Sequence, residues 1–222
     1  MRYATLTTLL IALNLIAYLV TVIQSGSVQS IPLRTLVGDG ALYGPLVVLQ
    51  GEWWRLLSAI FLHGGAMHIV MNMVSLYIVG RGTELYFSKA AYVAIYLLSG
   101  LIGAMASLYT HPFDVAMGAS GAIFGIFGAL LGFFLVHRDR LGADAKRVFE
   151  DFVTIIVLNV ALGFAMPSID MSAHIGGFIT GLIGGVLVAS RPQRLAWFVA
   201  SALIALWIGK GVLETHYATL PF

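Results

Sequence analysis

None of the 222 residues is cysteine, and only 10% are Asp, Glu, Lys or Arg. Without cysteine the chain has no disulfide and no thiolate ligand for a metal. A soluble domain carries about 25% charged residues. This chain is therefore short of the polar surface needed to face water on every side. No internal repeat is visible and no soluble domain is appended, so residues 1–222 are read as a single membrane domain. What is abundant is apolar: 59% of the residues are hydrophobic and the mean hydropathy is +0.94. A multi-span membrane protein follows. The 25 glycines suit helices packed closely in lipid through small residues.

Seven spans are predicted, at about 4–23, 66–82, 89–109, 118–136, 149–166, 171–189 and 195–213. The first follows Met1-Arg2 with no convincing small-residue cleavage site after it, and reads as a membrane helix rather than a signal peptide. Between the first two spans lies a long stretch, 24–65, rich in turn residues yet apolar on one side, with Trp53 and Trp54. Such a segment is expected to lie in the membrane interface or to re-enter it partly. Trp54 to Leu62 reads as a short helical piece, separated from the second span by His63-Gly64-Gly65. His111-Pro112-Phe113-Asp114 is a loop, because proline disfavours helix at the preceding residue. With the N-terminus inside, Arg2, Arg81, Lys89, Arg138, Arg140, Lys146, Arg147, Arg191 and Arg194 fall in inner segments, against Arg34, Arg55 and Lys210 outside. That bias supports seven spans, a cytoplasmic N-terminus and an exterior C-terminus.

Four polar residues have no reason to be in lipid: His68, Asn72, Ser120 and His174. Polar residues inside spans are expensive and mark function. The second, fourth and sixth spans all enter from outside, so all four residues fall near one outer level. His68 and Asn72 are four apart and share a helix face, about 6 Å apart along the axis. Both can donate hydrogen bonds, as stabilisation of an oxyanion requires. Ser120 needs a base to take its proton, and a neutral imidazole such as His174 suits that role. Gly177, Gly181 and Gly185 follow His174 near one helix face, and Gly121, Gly125, Gly128 and Gly132 follow Ser120. Two small-residue faces of this kind can press their helices together. Each residue also has a plainer reading: a backbone-bonded membrane serine, an interfacial histidine, ordinary helix packing. His63, His68 and His174 as metal ligands is a further reading, but no carboxylate or cysteine inside the spans joins them. Asp170, four before His174, suits the start of the sixth span, where an acid complements the helix dipole. As the third member of a triad it is the lesser reading. Asp114 is a loop acid.

These residues resemble the rhomboid intramembrane serine proteases. The nucleophile motif reads Gly118-Ala119-Ser120-Gly121, the His-x-x-x-Asn motif reads His68 to Asn72 with His63 before it, and the loop motif reads Trp54-Arg55. The sixth-span motif reads Ala173-His174, Gly177, Gly181. The resemblance is close over about 50–190. It implies an all-α polytopic bundle with a core of six helices, about 4–190, to which 195–213 adds a seventh. It implies a Ser-His dyad of Ser120 as nucleophile and His174 as general base. His68, Asn72 and the Ser120 N–H would form the oxyanion hole, with Gly118 shaping the backbone there. Phe124 matches an aromatic position that packs against the dyad histidine, and Trp54-Arg55 would stabilise the long loop. Arg81 and Glu84 would be structural at most. The expected activity is a serine endopeptidase that cuts transmembrane protein substrates near the outer face of the lipid bilayer, in a prokaryotic plasma membrane. No cofactor, metal or nucleic-acid partner is expected. The rival readings are a catalytically inactive relative acting in membrane-protein binding or quality control, and a transporter or channel.

Overall fold

The computed structural model of the chain describes residues 5–140, Thr154 and 170–221. Its helices are α1 (Thr5–Ser25), α2 (Leu33–Gly38), α3 (Arg55–Ser58), α4 (Ala66–Tyr86), α5 (Lys89–Thr110), α6 (Ser120–His137), α7 (Met171–Ser190) and α8 (Leu195–Tyr217). Two two-residue strands, β1 (Leu42–Tyr43) and β2 (Val115–Ala116), pair antiparallel with Leu42 opposite Ala116. Among the described residues five helices are long and apolar enough to cross a membrane, or six if the pair Arg55–Phe61 and Ala66–Tyr86 is counted as one span. The members of that pair meet at 89°. The protein is thus an integral membrane protein built as a helical bundle. The fifth predicted span, 149–166, lies outside the described residues apart from Thr154, which is helical.

The other six predicted spans sit where the described helices are, with two extensions. The second runs on to Tyr86 and the seventh to Tyr217, each four residues beyond the predicted end. Both extensions carry polar residues that are satisfied inside the protein. Glu84 of α4 accepts from the N–H groups of Leu6 (2.9 Å) and Thr7 (3.0 Å) and from the Thr7 hydroxyl (2.9 Å). A helix leaves its first N–H groups without intrahelical partners. Glu84 supplies them to α1 from another element, and Thr7 in turn bonds the Tyr92 hydroxyl of α5 at 3.0 Å. The structural role expected of Glu84 is therefore the docking of α1.

At the centre stands α6, every residue of which from Gly121 to Leu130 is buried. Its surface is almost flat toward α7. A methyl group added at Gly177 would sit 2.0 Å from the Gly121 carbonyl oxygen, one at Gly181 1.8 Å from that of Gly125, and one at Gly185 2.4 Å from that of Ala129. In the other direction a methyl at Gly128 would sit 2.2 Å from the Phe178 carbonyl. The two backbones touch along three turns, which small residues alone permit.

The segment 24–65 is built rather than loose. Ile31 N–H donates to Gly64 O (2.9 Å) and Ala66 N–H to Val28 O (3.1 Å), closing its two ends on each other. Arg55 is buried, and its guanidinium donates to the carbonyls of Val37 (2.6 Å) and Ala41 (3.1 Å) and pairs with Glu52 at 2.5 Å. A buried charge is tolerated when it is paired and hydrogen-bonded in this way. Trp54, by contrast, is 54% exposed, its ring 4.8 Å from the Arg55 guanidinium carbon. Arg55 staples the segment from inside, while Trp54 presents a ring at its surface.

Candidate active site

Ser120 is the first residue of α6, His68 the third of α4 and His174 the fourth of α7. All three lie in the first turn or so of helices whose starts gather at one end of the bundle. The first N–H groups of a helix have no partner within it, and the dipole makes that end positive. The Ser120 N–H is such a donor. The turn before it is set by Gly118, whose φ is +126° and whose N–H donates to Ala59 O at 2.8 Å. That conformation favours glycine. Space demands it as well, for a methyl at Gly118 would sit 2.8 Å from His68 Nε2.

The imidazole of His68 therefore faces the Gly118–Ser120 turn. Gly64 N–H approaches its Nδ1 at 3.4 Å, an arrangement that suits the tautomer with the proton on Nε2, toward the turn. Asn72 lies one helical turn along, mostly buried, with one amide hydrogen spent on the His68 carbonyl at 2.9 Å. An amide nitrogen has two donors, so one is left. His63 is fully buried and meets His68 edge to face at 5.0 Å between ring centres. Neither of its ring nitrogens has a hydrogen-bond partner among the described residues.

His174 comes from the opposite side. The seam between α6 and α7 brings Gly121, next to Ser120, against Ala173, next to His174: a methyl at Gly121 would sit 3.3 Å from the Ala173 carbonyl. The His174 ring stacks on Phe124 at 4.3 Å and 11°, one turn along α6 from Ser120. No hydrogen bond joins the Ser120 hydroxyl to His174. Nδ1 of His174 is buried without a hydrogen-bond partner among the described residues, so no carboxylate among them bonds it. Asp170 does something else. It caps α7, accepting from the N–H groups of Ser172 and Ala173 at 3.1 Å each, and its carboxylate lies 3.8 Å from His111. Burial opposes its ionisation, but hydrogen bonds from Ser107, Ser172 and the Ala173 N–H, with the nearby His111, outweigh that and hold its carboxyl below the usual aspartate range. Among the described residues no group of three or more His, Asp or Glu is placed to hold a metal ion.

Of the residues singled out from sequence, His63, His68, Asn72, Gly118, Ser120, Gly121, Phe124 and His174 come together at this end. Gly177 and Gly181 continue the seam away from it. Trp54-Arg55 and Glu84 belong to the long segment and to the other end of the bundle. Arg81 bonds and stacks on Tyr77 at the surface of α4. Two contacts had no signal in the sequence. One is the Ala59 carbonyl that holds Gly118. The other is the Tyr217 hydroxyl, which donates to the carbonyls of Leu108 and Pro112 at 3.0 Å each. Both couple residues far apart in the chain, and no local pattern announces them.

Comparison with known proteins identifies relatives of the chain. A family model described as the rhomboid domain matches residues 50–191. The chain is 40% identical to rhomboid protease GluP of Bacillus subtilis over 212 residues, covering 92% of this chain and 39% of that protein. It is 42% identical to RHOMBOID-like protein 5 of Arabidopsis thaliana over 166 residues, 74% of this chain and 52% of that one. RHOMBOID-like protein 2 of the same plant is 40% identical over 159 residues, 72% of this chain and 50% of that protein. The chain thus spans about half or less of the length of these relatives. With the family model covering well over half of its residues, the chain belongs to the rhomboid family.

Proposed function

We propose that this chain is an intramembrane serine endopeptidase, with Ser120 as nucleophile and His174 as general base. The observation that supports the reading is the seam of α6 and α7, which brings Gly121 against Ala173 and stacks the His174 ring on Phe124, one turn from Ser120, while His68 Nε2 lies against the Gly118 turn. In the proposed reaction the Ser120 hydroxyl attacks the scissile carbonyl and passes its proton to His174 Nε2. The resulting oxyanion is met by His68 Nε2–H, the spare Asn72 amide hydrogen and the Ser120 N–H, at the positive end of α6. His174 returns the proton to the leaving amine, and water then hydrolyses the ester to Ser120 by the reverse sequence. The absent Ser120–His174 hydrogen bond is compatible with this, since catalytic hydrogen bonds are often long until substrate binds. Phe124 fixes the plane of the base, and the hydrogen bonds of Asp170 go to the start of α7.

The substrates proposed are transmembrane proteins, cut near the outer membrane face, where the three helix starts would lie with the N-terminus in the cytoplasm. On this reading residues 1–222 form one domain, a six-helix core over about 4–190 with α8 as the seventh span. The test is cleavage of a model transmembrane substrate by purified protein, with labelling by a fluorophosphonate. Ser120→Ala and His174→Ala are each expected to lower turnover by at least about 1000-fold. Full activity in either variant overturns the dyad. Absence of labelling at Ser120, where a control protease reacts, favours an inactive relative that binds membrane proteins.

A further inference from the structure

The end of α8 touches the loop that carries the candidate nucleophile by two routes. The first is the Tyr217 hydroxyl. Tyr217 is fully buried, and its hydroxyl lies within hydrogen-bond reach of Leu108 O at the end of α5 and Pro112 O in the turn leading to β2. It also fills the space that a side chain at Gly44 would need: a methyl there would sit 1.9 Å from the hydroxyl oxygen. Gly44 follows β1 and Pro112 precedes β2, so one hydroxyl underlies both strands of the β1–β2 ribbon. The second route is packing. Tyr217 and Leu213 share an apolar cluster with Leu42 of β1 and with Ala59, and the Ala59 carbonyl receives the Gly118 N–H at 2.8 Å. Both routes end at the same place, since β2 stops two residues before Gly118.

We infer that Tyr217 is a positioning residue for the Ser120 site: through its hydroxyl α8 braces the β1–β2 ribbon and so fixes the Gly118–Ser120 backbone that would face the oxyanion. The inference rests on the role proposed for Ser120. The physical requirement is strict, because an oxyanion donor must hold its place to within about 0.5 Å to stabilise the transition state. A two-residue ribbon has too few hydrogen bonds to do this alone, since even a longer two-stranded hairpin is only marginally stable by itself. A phenol has one proton to give, so the hydroxyl shares it between the Leu108 and Pro112 carbonyls.

Tyr217→Phe removes the hydroxyl and leaves the ring, so the fold is kept. In full-length protein, with active serines counted by fluorophosphonate labelling, kcat per labelled serine is expected to fall about tenfold. KM is expected to stay within about twofold, the pattern for an interaction felt only in the transition state. Amide hydrogen exchange over 115–120 is expected to quicken, with exchange in the middle of α6 unchanged. A merely structural role would shift the unfolding midpoint and leave kcat per labelled serine as it was. Unchanged kcat, or unchanged exchange over 115–120, overturns the inference. If the unsubstituted protein neither labels nor cleaves, the proposed enzymatic function fails, and the exchange measurement still decides whether the brace exists.

Discussion

Gly118 is held by two constraints that one substitution would violate together. Its φ of +126° strains any L side chain, and the Cβ would press on His68 Nε2. Gly118→Ala is therefore expected to displace one or both of the imidazole and the Ser120 N–H. Losing a single oxyanion donor costs about 100-fold in kcat, so a loss of about that size or more should appear in the cleavage assay, with fluorophosphonate labelling slowed in parallel. Asp170 makes a different prediction. Its carboxyl is held below the usual range in the folded protein. A group of this kind adds stability that is fully present above its unfolded pKa of about 3.9 and is lost as pH falls through the folded value. The unfolding midpoint should drop on acidification below about pH 4, and Asp170→Asn should flatten that part of the profile. Because Asn caps a helix about as well as Asp, the same variant should keep most of its activity near neutral pH. A collapse of activity in Asp170→Asn would restore Asp170 to a triad.

Among the elements, α6 and α7 form the unit on which the site depends. Gly181→Ala would drive a methyl to 1.8 Å from the Gly125 carbonyl, where backbone rather than a movable side chain must yield. The expected cost is about 3 kcal/mol, at the upper end for overpacking, read as a lower unfolding midpoint, with activity lost through the widened gap between Ser120 and His174. The glycine spacing on both helices made this contact legible in the sequence. So did the types of His68, Asn72, Ser120 and His174, because polar side chains in apolar spans must have partners or purposes. Rotation was not legible. Spacing alone leaves open how each helix is rolled about its axis: the turn of His68 toward Gly118 depends on it, and the stacking of His174 on Phe124 was expected only through the family resemblance. The long segment was legible in character and not in form. Its Arg55 staple rests on the carbonyls of Val37 and Ala41, and backbone acceptors carry no residue-type signal.

For the molecule as a whole, the question is which way it lies in the membrane. The absence of cysteine makes this simple to ask, because a single introduced thiol has no background. Arg194→Cys lies in the turn before α8 and Thr219→Cys just beyond its end, both outside the apolar run. With the N-terminus inside, a membrane-impermeant maleimide should label Arg194→Cys only from the cytoplasmic side and Thr219→Cys only from the exterior. Labelling of both from one side would show that α8 does not cross. The excess of Lys and Arg in the segments that would then lie inside carries this expectation, because charge in loops is selected by insertion rather than by packing. The place of α8 in the fold was not. As a late apolar run it looked like an addition, whereas Tyr217 and Leu213 tie its end into the base of the long segment.

The seam of α6 and α7 also limits how the protein can change over time. When a large side chain intrudes on a neighbour, a second substitution that trims the neighbour can restore the fit. At Gly181 the neighbour is Gly125, and at Gly177 it is Gly121. Nothing remains to trim. Drift at these positions has no compensating route, so variation among descendants of this chain should collect on the outward faces of α1 and α8 and pass the seam by.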